Sequence, residues 1–422
     1  MWAGPASYRA GGLDAMGGAA SQWHHRRGNK AMERPMAKQN DLSRCLVTLE
    51  QDATVIAVIE MGQSSWLVAG TVPGLERNPL KKLSPDPDAL LQLLHRWQKE
   101  AVQAGRAIKR IVVAYEAGRD GFWLARWLRV REIEAYVIHP SSVPVSREHR
   151  RAKTDRLDTE LLKRAFLGWL RGEPKHCSMA AIPTVADEDT KRPGRERQSL
   201  VGERTRIINR VKANLARVGI RGFRPNLAQA SSRLEALCTP EGTAVPVNTL
   251  AELRRDMDRL RFVKQQIKEI ETSRAKRLAG APNEQGHAMV RLLARVVGVG
   301  IETADMLVHE VFSRDIRDRK ALARYAGLTG APDESGKRRR ERGLAKAGNA
   351  RVRRGMIELA WGHLVHQKAS ALTAWYRKRT SDTRGSTRKT MIVALARKLL
   401  IALWRLVTTG ETSAGLLLRP AA

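Results

Sequence analysis

The chain has 422 residues, 42% of them hydrophobic, with 76 Lys and Arg against 43 Asp and Glu, so it carries +33 charges at neutral pH. That length holds two or three domains with separate cores, and so large a positive excess repels itself unless a polyanion such as nucleic acid neutralises it. No apolar run approaches the roughly 18 to 20 residues that span a bilayer, and three scattered cysteines (Cys45, Cys177, Cys238) exclude a disulfide framework and a zinc site and fit a reducing cytoplasm.

Residues 1–42 are rich in Gly, Ala and Met, show no helical or strand period, and are expected to be a disordered extension. Their His24-His25 pair is a weak metal candidate, and Met16, Met32 and Met36 leave the natural start open.

A first domain is expected over residues 43–172. Two β-branched runs, residues 55–59 and 66–72, flank a short polar turn and predict a hairpin of buried strands. A helix over 88–104, a strand over 111–115, a helix around 122–128 and a short strand over 135–138 follow. The helix that opens at Asp155 closes the unit. Strands followed by alternating helices and strands predict an α/β layer fold, in which functional groups gather at strand ends. Glu60 and Glu116 occupy such ends. Asp155 and Asp158 lie one turn apart at the start of a helix whose apolar stripe is Leu161, Leu162, Ala165, Phe166, Trp169 and Leu170, so both project from one face. Two acids one turn apart can share a hard cation such as Mg²⁺ or Mn²⁺, and the two strand-end acids could converge on the same site. Taken singly, each also fits a solvated position or a first-turn acid favoured by the helix dipole.

Residues 173–285 predict a basic helical, coiled-coil-like connector. Between residues 191 and 224 there are 11 Lys and Arg against 2 Glu, with an apolar stripe of Ile207, Ile208, Val211, Leu215 and Val218. A second long helix keeps Leu250, Leu253, Met257 and Leu260 at three-then-four spacing, so the two are expected to pair as an antiparallel hairpin or across a dimer.

Residues 286–405 predict a mostly α domain, with 406–422 as a tail. The run Val296-Val-Gly298-Val-Gly300-Ile301 between helical stretches has the form of a helix-hairpin-helix turn, in which glycines let backbone amides approach a phosphate. Ser335 sits beside Gly336 in a polar loop. It is followed by Lys337, Arg338, Arg339, Arg340, Arg342, Lys346 and Arg353, a field able to neutralise a scissile phosphate or simply to bind a nucleic-acid backbone. Asn349 suits a helix N-cap and is counted with these cations and with Gly298 and Gly300 among the candidate nucleic-acid contacts.

An acid after the first strand, Glu116-Ala-Gly after an internal strand, Lys153-Thr-Asp155-x-x-Asp158 opening a helix, then Tyr325-Ala-Gly-Leu328, Asp333-Glu-Ser335-Gly and Lys346-Ala-Gly-Asn349 with Arg353 follow one another in order. Over residues 55–370 this resembles the DEDD (RuvC-like) plus serine transposases of bacterial insertion sequences, recombinases guided by a bridge RNA. The resemblance implies an RNase H-like domain whose four acids, at Glu60, Glu116, Asp155 and Asp158, hold Mg²⁺, and a DNA nucleophile at Ser335. It also implies a structured guide RNA and dimers that assemble into a tetramer, the serine of one subunit meeting the acids of another. The expected setting is the bacterial cytoplasm, associated with the nucleoid. One residue departs from the pattern: the first acid is normally aspartate, and here it is Glu60, with Asp52 the only nearby substitute. The alternatives are a metal-dependent, structure-specific nuclease without a covalent intermediate and an inactive nucleic-acid-binding copy.

Overall fold

A computed structural model describes residues 45, 47–118, 121–143, 155–173, 176–314, 316–335, 338–345, 347–381 and 385–420, with backbone alone at 141, 155, 331–335, 338–342 and 385–386. The expected disordered extension and its histidine pair lie outside the described residues.

The N-terminal part is a five-stranded sheet with helices on both faces. Strands β1 (Thr54–Met61), β2 (Trp66–Thr71) and β3 (Leu80–Leu83) form an antiparallel meander, and β4 (Arg110–Glu116) and β5 (Glu134–Ile138) add parallel to β1, giving the order β3-β2-β1-β4-β5. Alternation along β1 decides which layer each residue meets. Val55, Ala57 and Ile59 face the core shared with α1 (Pro87–Gln103) and α2 (Trp123–Arg129), while Ile56 and Val58 face α3 (Asp155–Leu170). Helix α1 starts where Asp86 accepts from the Asp88 amide at 2.9 Å and Pro87 takes the first turn, and it buries Leu90, Leu93, Leu94, Trp97 and Ala101. Gly70 lets Trp97 cross β2: a Cβ there would stand 2.7 Å from the indole ring. On the other face, α3 packs Leu162, Phe166 and Trp169 against Tyr136.

After a short α4 (Val185–Asp189), helix α5 (Arg192–Arg217) and helix α7 (Val247–Gly280) form an antiparallel hairpin, with α6 (Ala230–Glu235) against its far end. The pairing lies within one chain, as its rungs Arg197–Glu271, Arg210–Asp256 and Asn214–Glu252 require.

The C-terminal region is helical: α8 (Gln285–Ala294), α9 (Ile301–Leu307) continued by a π turn over Val308–Phe312, α10 (Arg319–Tyr325), α11 (Ala350–His366), α12 (Ala371–Thr380) and α13 (Gly385–Thr409). Between α10 and α11 the polar loop expected around Ser335 is instead a two-stranded hairpin, β6 (Gly330–Ser335) and β7 (Arg338–Leu344). Its strands, Gly-Ala-Pro-Asp-Glu-Ser and Arg-Arg-Arg-Glu-Arg-Gly-Leu, are small, polar or charged, so the apolar alternation that marks a strand in sequence is missing. Residues past Leu406 pack back on this region: Leu418 bridges to Val296, and the Val297 amide donates to the Leu417 carbonyl at 3.1 Å. No helix among the described residues is long and apolar enough to cross a membrane.

Candidate active site and nucleic-acid interface

Strand register brings two of the four acids side by side. Ile59 pairs with Tyr115 across the parallel β1–β4 ladder, so Glu60 and Glu116 are the next neighbours at the strand ends. They leave the sheet on the face of Val58 and Ala114, which is the α3 face. Asp158, in the first turn of α3, completes the arrangement. Glu60, Glu116 and Asp158 line one cavity of about 580 Å³, together with Gln63, Tyr115, Pro140, Val143 and Leu161. Glu60 and Asp158 are half-buried and Glu116 is exposed. The backbone of Asp155 opens the same helix; its side chain lies outside the described set. Asp52 sits before the opposite end of β1 and pairs with Arg106 at 3.3 Å, so it cannot replace Glu60.

The cavity wall is fixed by Tyr115, whose hydroxyl donates to the Gly121 carbonyl and accepts from the Ala125 amide, both at 3.2 Å. Burial pushes its phenol up to about 12, so it stays protonated and tethers α2 to the end of β4. Among the described side chains no three carboxylates, imidazoles or thiolates close on one point. The acids ring a space rather than meeting. An all-oxygen set around an open cavity still fits a hydrated Mg²⁺, which takes one or two carboxylates and fills its remaining positions with water and phosphate oxygens.

Among the described residues, none from the C-terminal region lines this cavity. Ser335 ends β6 opposite Arg338, with Glu334 opposite Arg339 and Asp333 opposite Arg340. For Ser335, Arg338, Arg339, Arg340 and Arg342 the backbone alone is described, and Lys337 and Lys346 lie outside the described residues. The hairpin base is held by two glycines that cross. Gly327 (φ +65°) and Gly348 (φ +84°) are left-handed, and a Cβ on Gly348 would stand 2.5 Å from the Arg324 carbonyl oxygen and 2.6 Å from that of Tyr325. The Asn349 amide then donates to the Tyr325 carbonyl at 2.7 Å, and the Ala345 amide to Thr329 at 3.1 Å. Both Ala-Gly motifs of the sequence therefore serve this crossing.

Asn349 caps α11, its side chain accepting from the amides of Arg351 and Val352. Its Nδ2 donates to Glu310 at 3.3 Å and to the Tyr325 hydroxyl at 3.4 Å, so it works inside the protein. Arg353 donates to the Ala347 carbonyl at 3.3 Å. Glu310 was not read from sequence. It lies in the π turn, 1% exposed, and accepts from Arg195 at 2.9 and 3.1 Å and from Arg351 at 2.9 Å. Burial alone would push its carboxyl up, yet the Arg195 bonds and the charges of Arg351 and Lys191 hold it below the usual range. The available signal was a lone acid inside the apolar run Val308-His-Glu310-Val311-Phe312.

The glycine turn joins α8 to α9, with Gly298 at φ +94° and its Cβ position 3.1 Å from His366; Gly300 precedes α9 in extended conformation. Of its amides, that of Val297 is spent on Leu417 and that of Val299 on the Val296 carbonyl, which leaves fewer for a phosphate than the motif alone implies.

The chain thus joins an α/β layer with carboxylates at its strand ends, through a basic helical hairpin, to a helical region with a charged β-hairpin. Residues 290–377 match the profile of the Transposase IS116/IS110/IS902 family. A protein of Sinorhizobium fredii (strain NBRC 101917 / NGR234) named "Putative transposase y4rJ" is 38% identical over 403 residues, covering 93% of this chain and 98% of its own length. The chain belongs to the IS116/IS110/IS902 family of transposases, whose substrate is the DNA of an insertion sequence.

Proposed function

We propose that this transposase cuts and rejoins DNA strands through a serine nucleophile, Ser335, with Mg²⁺ or Mn²⁺ held by Glu60, Glu116, Asp155 and Asp158, and with a structured RNA as guide. The observation that carries the reading is the convergence of Glu60, Glu116 and Asp158, from three separate elements, on one cavity. In the reaction the Ser335 oxygen attacks phosphorus and gives up its proton as the P–O bond to the leaving deoxyribose oxygen breaks; that oxygen takes a proton, and a phosphoserine ester remains. Attack by a strand-end hydroxyl reverses the step, so bond energy is conserved through rejoining. Bound metal would supply charge neutralisation at the phosphate oxygens, and the arginines of β7 would share that load. The RNA would carry base specificity by pairing, leaving the protein to read backbone and shape. A serine delivered by another subunit in a dimer-of-dimers assembly completes the reading, as the resemblance to the serine-type transposases implies. The glycine turn at Gly298 and Gly300 is a candidate helix-hairpin-helix backbone contact.

The test is a denaturing-gel assay for a protein–DNA adduct, with element-end DNA, the RNA of the flanking noncoding sequence and Mg²⁺, run in parallel with Ser335→Ala. The expected result is an adduct in the parent and none in the variant. Cleavage without an adduct would identify the water-activating nuclease instead, and binding with neither product would identify an inactive copy.

A further inference from the structure

A second cavity, of about 440 Å³, lies between α5 and the start of α11, lined by Arg195, Gln198, Ser199, Gly202, Arg206 and Arg354. The α5 residues recur at intervals of three and four, so they form one stripe, and from Arg195 to Arg206 it runs about 16 Å, long enough to follow several phosphates of one strand. No carboxylate lines it. Glycine at 202 and the small Ser199 keep the floor low, and Arg206 and Arg354 form no ion pair with any described residue. At the Arg195 end, the surplus of positive charge extends below the surface. Glu310 is shared by Arg195 and Arg351, while burial and the nearby Arg314 push the Lys191 ammonium below its usual value. Asp187, Glu188 and Asp305 act on these cations from farther off, but none of them lines the groove, so the field at its surface stays positive and an external anion would relieve it.

We propose that this groove seats the phosphate backbone of a nucleic-acid strand, with Arg206 and Arg354 as its phosphate contacts. The groove takes its class of partner from the transposase reading, but it depends on neither the serine nor the metal. Because Arg195 and Arg351 meet on Glu310 and Asn349 caps α11 beside them, a strand held here lies against the helix that follows the serine hairpin.

The test is fluorescence-anisotropy binding, in chelator and without Mg²⁺, of a roughly 40-nucleotide RNA and of a DNA duplex of the same sequence, each measured across a salt series. Arg206→Ala with Arg354→Ala is expected to weaken binding at least ~10-fold and to lower the slope of log K against log salt by about 1.4 to 1.8. Lys212→Ala with Arg217→Ala removes two charges from exposed positions of α5 outside the groove and is expected to change binding less than ~3-fold. Loss confined to one probe identifies the strand as RNA or DNA. Equal effects of the two double variants, or no binding of either probe by the parent, would overturn the proposal. Binding is read without chemistry, so a Ser335→Ala protein that binds normally separates failure of the catalytic reading from failure of this one.

Discussion

Glu60 replaces the aspartate that the family pattern places after the first strand, and its setting explains how a longer acid can be housed. It leaves β1 half-buried at the mouth of a cavity of about 580 Å³, with room for the extra methylene. Glu60→Gln keeps the volume and removes the charge, so if Glu60 holds the metal as proposed, Mg²⁺-dependent strand cleavage should fall at least ~100-fold, while binding of duplex DNA in chelator stays within about twofold. A second residue-scale prediction concerns His363, 3% exposed, whose Nε2 lies 2.9 Å from the Ser370 hydroxyl. Burial lowers its pKa from 6.5 to about 4, so the unfolded chain binds the proton first as pH falls. Its contribution is complete above pH 6.5 and drains away toward pH 4, which costs about 2 kcal/mol between pH 7 and pH 5. Urea midpoints at the two pH values measure this, and His363→Gln should flatten the dependence.

At the scale of elements, the α5–α7 hairpin depends on both its apolar seam and one buried acid. Asp256 is fully buried and accepts from Arg210 at 2.7 and 2.5 Å and from Arg259 at 3.0 Å, which holds its carboxyl below the usual range. Asp256→Ala should cost about 2 to 3 kcal/mol, because it removes three charge-assisted hydrogen bonds and leaves a gap at a buried position, and a double-mutant cycle with Arg210→Ala should return a coupling of about 1 to 2 kcal/mol. Chemical denaturation supplies all four corners of the cycle. Legibility in the sequence varied element by element. Strands β1, β2, β4 and β5 are buried and β-branched and could be read directly. Strand β3, Leu-Lys-Lys-Leu, is a mostly exposed edge of four residues and carries no such signal. The α5–α7 pairing was foreseen from its apolar stripes, but the choice of an intramolecular partner was not, since seam residues look alike in either case.

For the whole molecule, the same contrast holds at the site. Each of Glu60 and Glu116 is marked as a strand end by the apolar run before it, parallel pairing of β1 with β4 then sets them side by side, and a helix-start acid adds Asp158. Glu310 escaped because its partners, Arg195 and Arg351, stand 115 and 41 residues away, and nothing near it in sequence announces them. That carboxylate ties the connector hairpin to the C-terminal helices, assisted by Arg274, which is 2% exposed and bonds Glu302. Buried ion pairs of this kind add little stability against apolar substitutes but penalise misdocking strongly. The mutual orientation of the two parts is therefore set by charge as well as by shape.

The segment after α13 has a bearing on how the gene product matures. Leu417 and Arg419 bond Val297 and Arg295, and Gln367 reaches both the Val297 and Leu417 carbonyls, at 2.8 and 3.0 Å. During synthesis the glycine turn thus waits more than a hundred residues for its partner and is fastened only once that later segment has emerged. A chain lacking residues beyond Leu416 would have this clasp undone, with Leu418 no longer bridged to Val296 and the glycine turn held by the helical core alone.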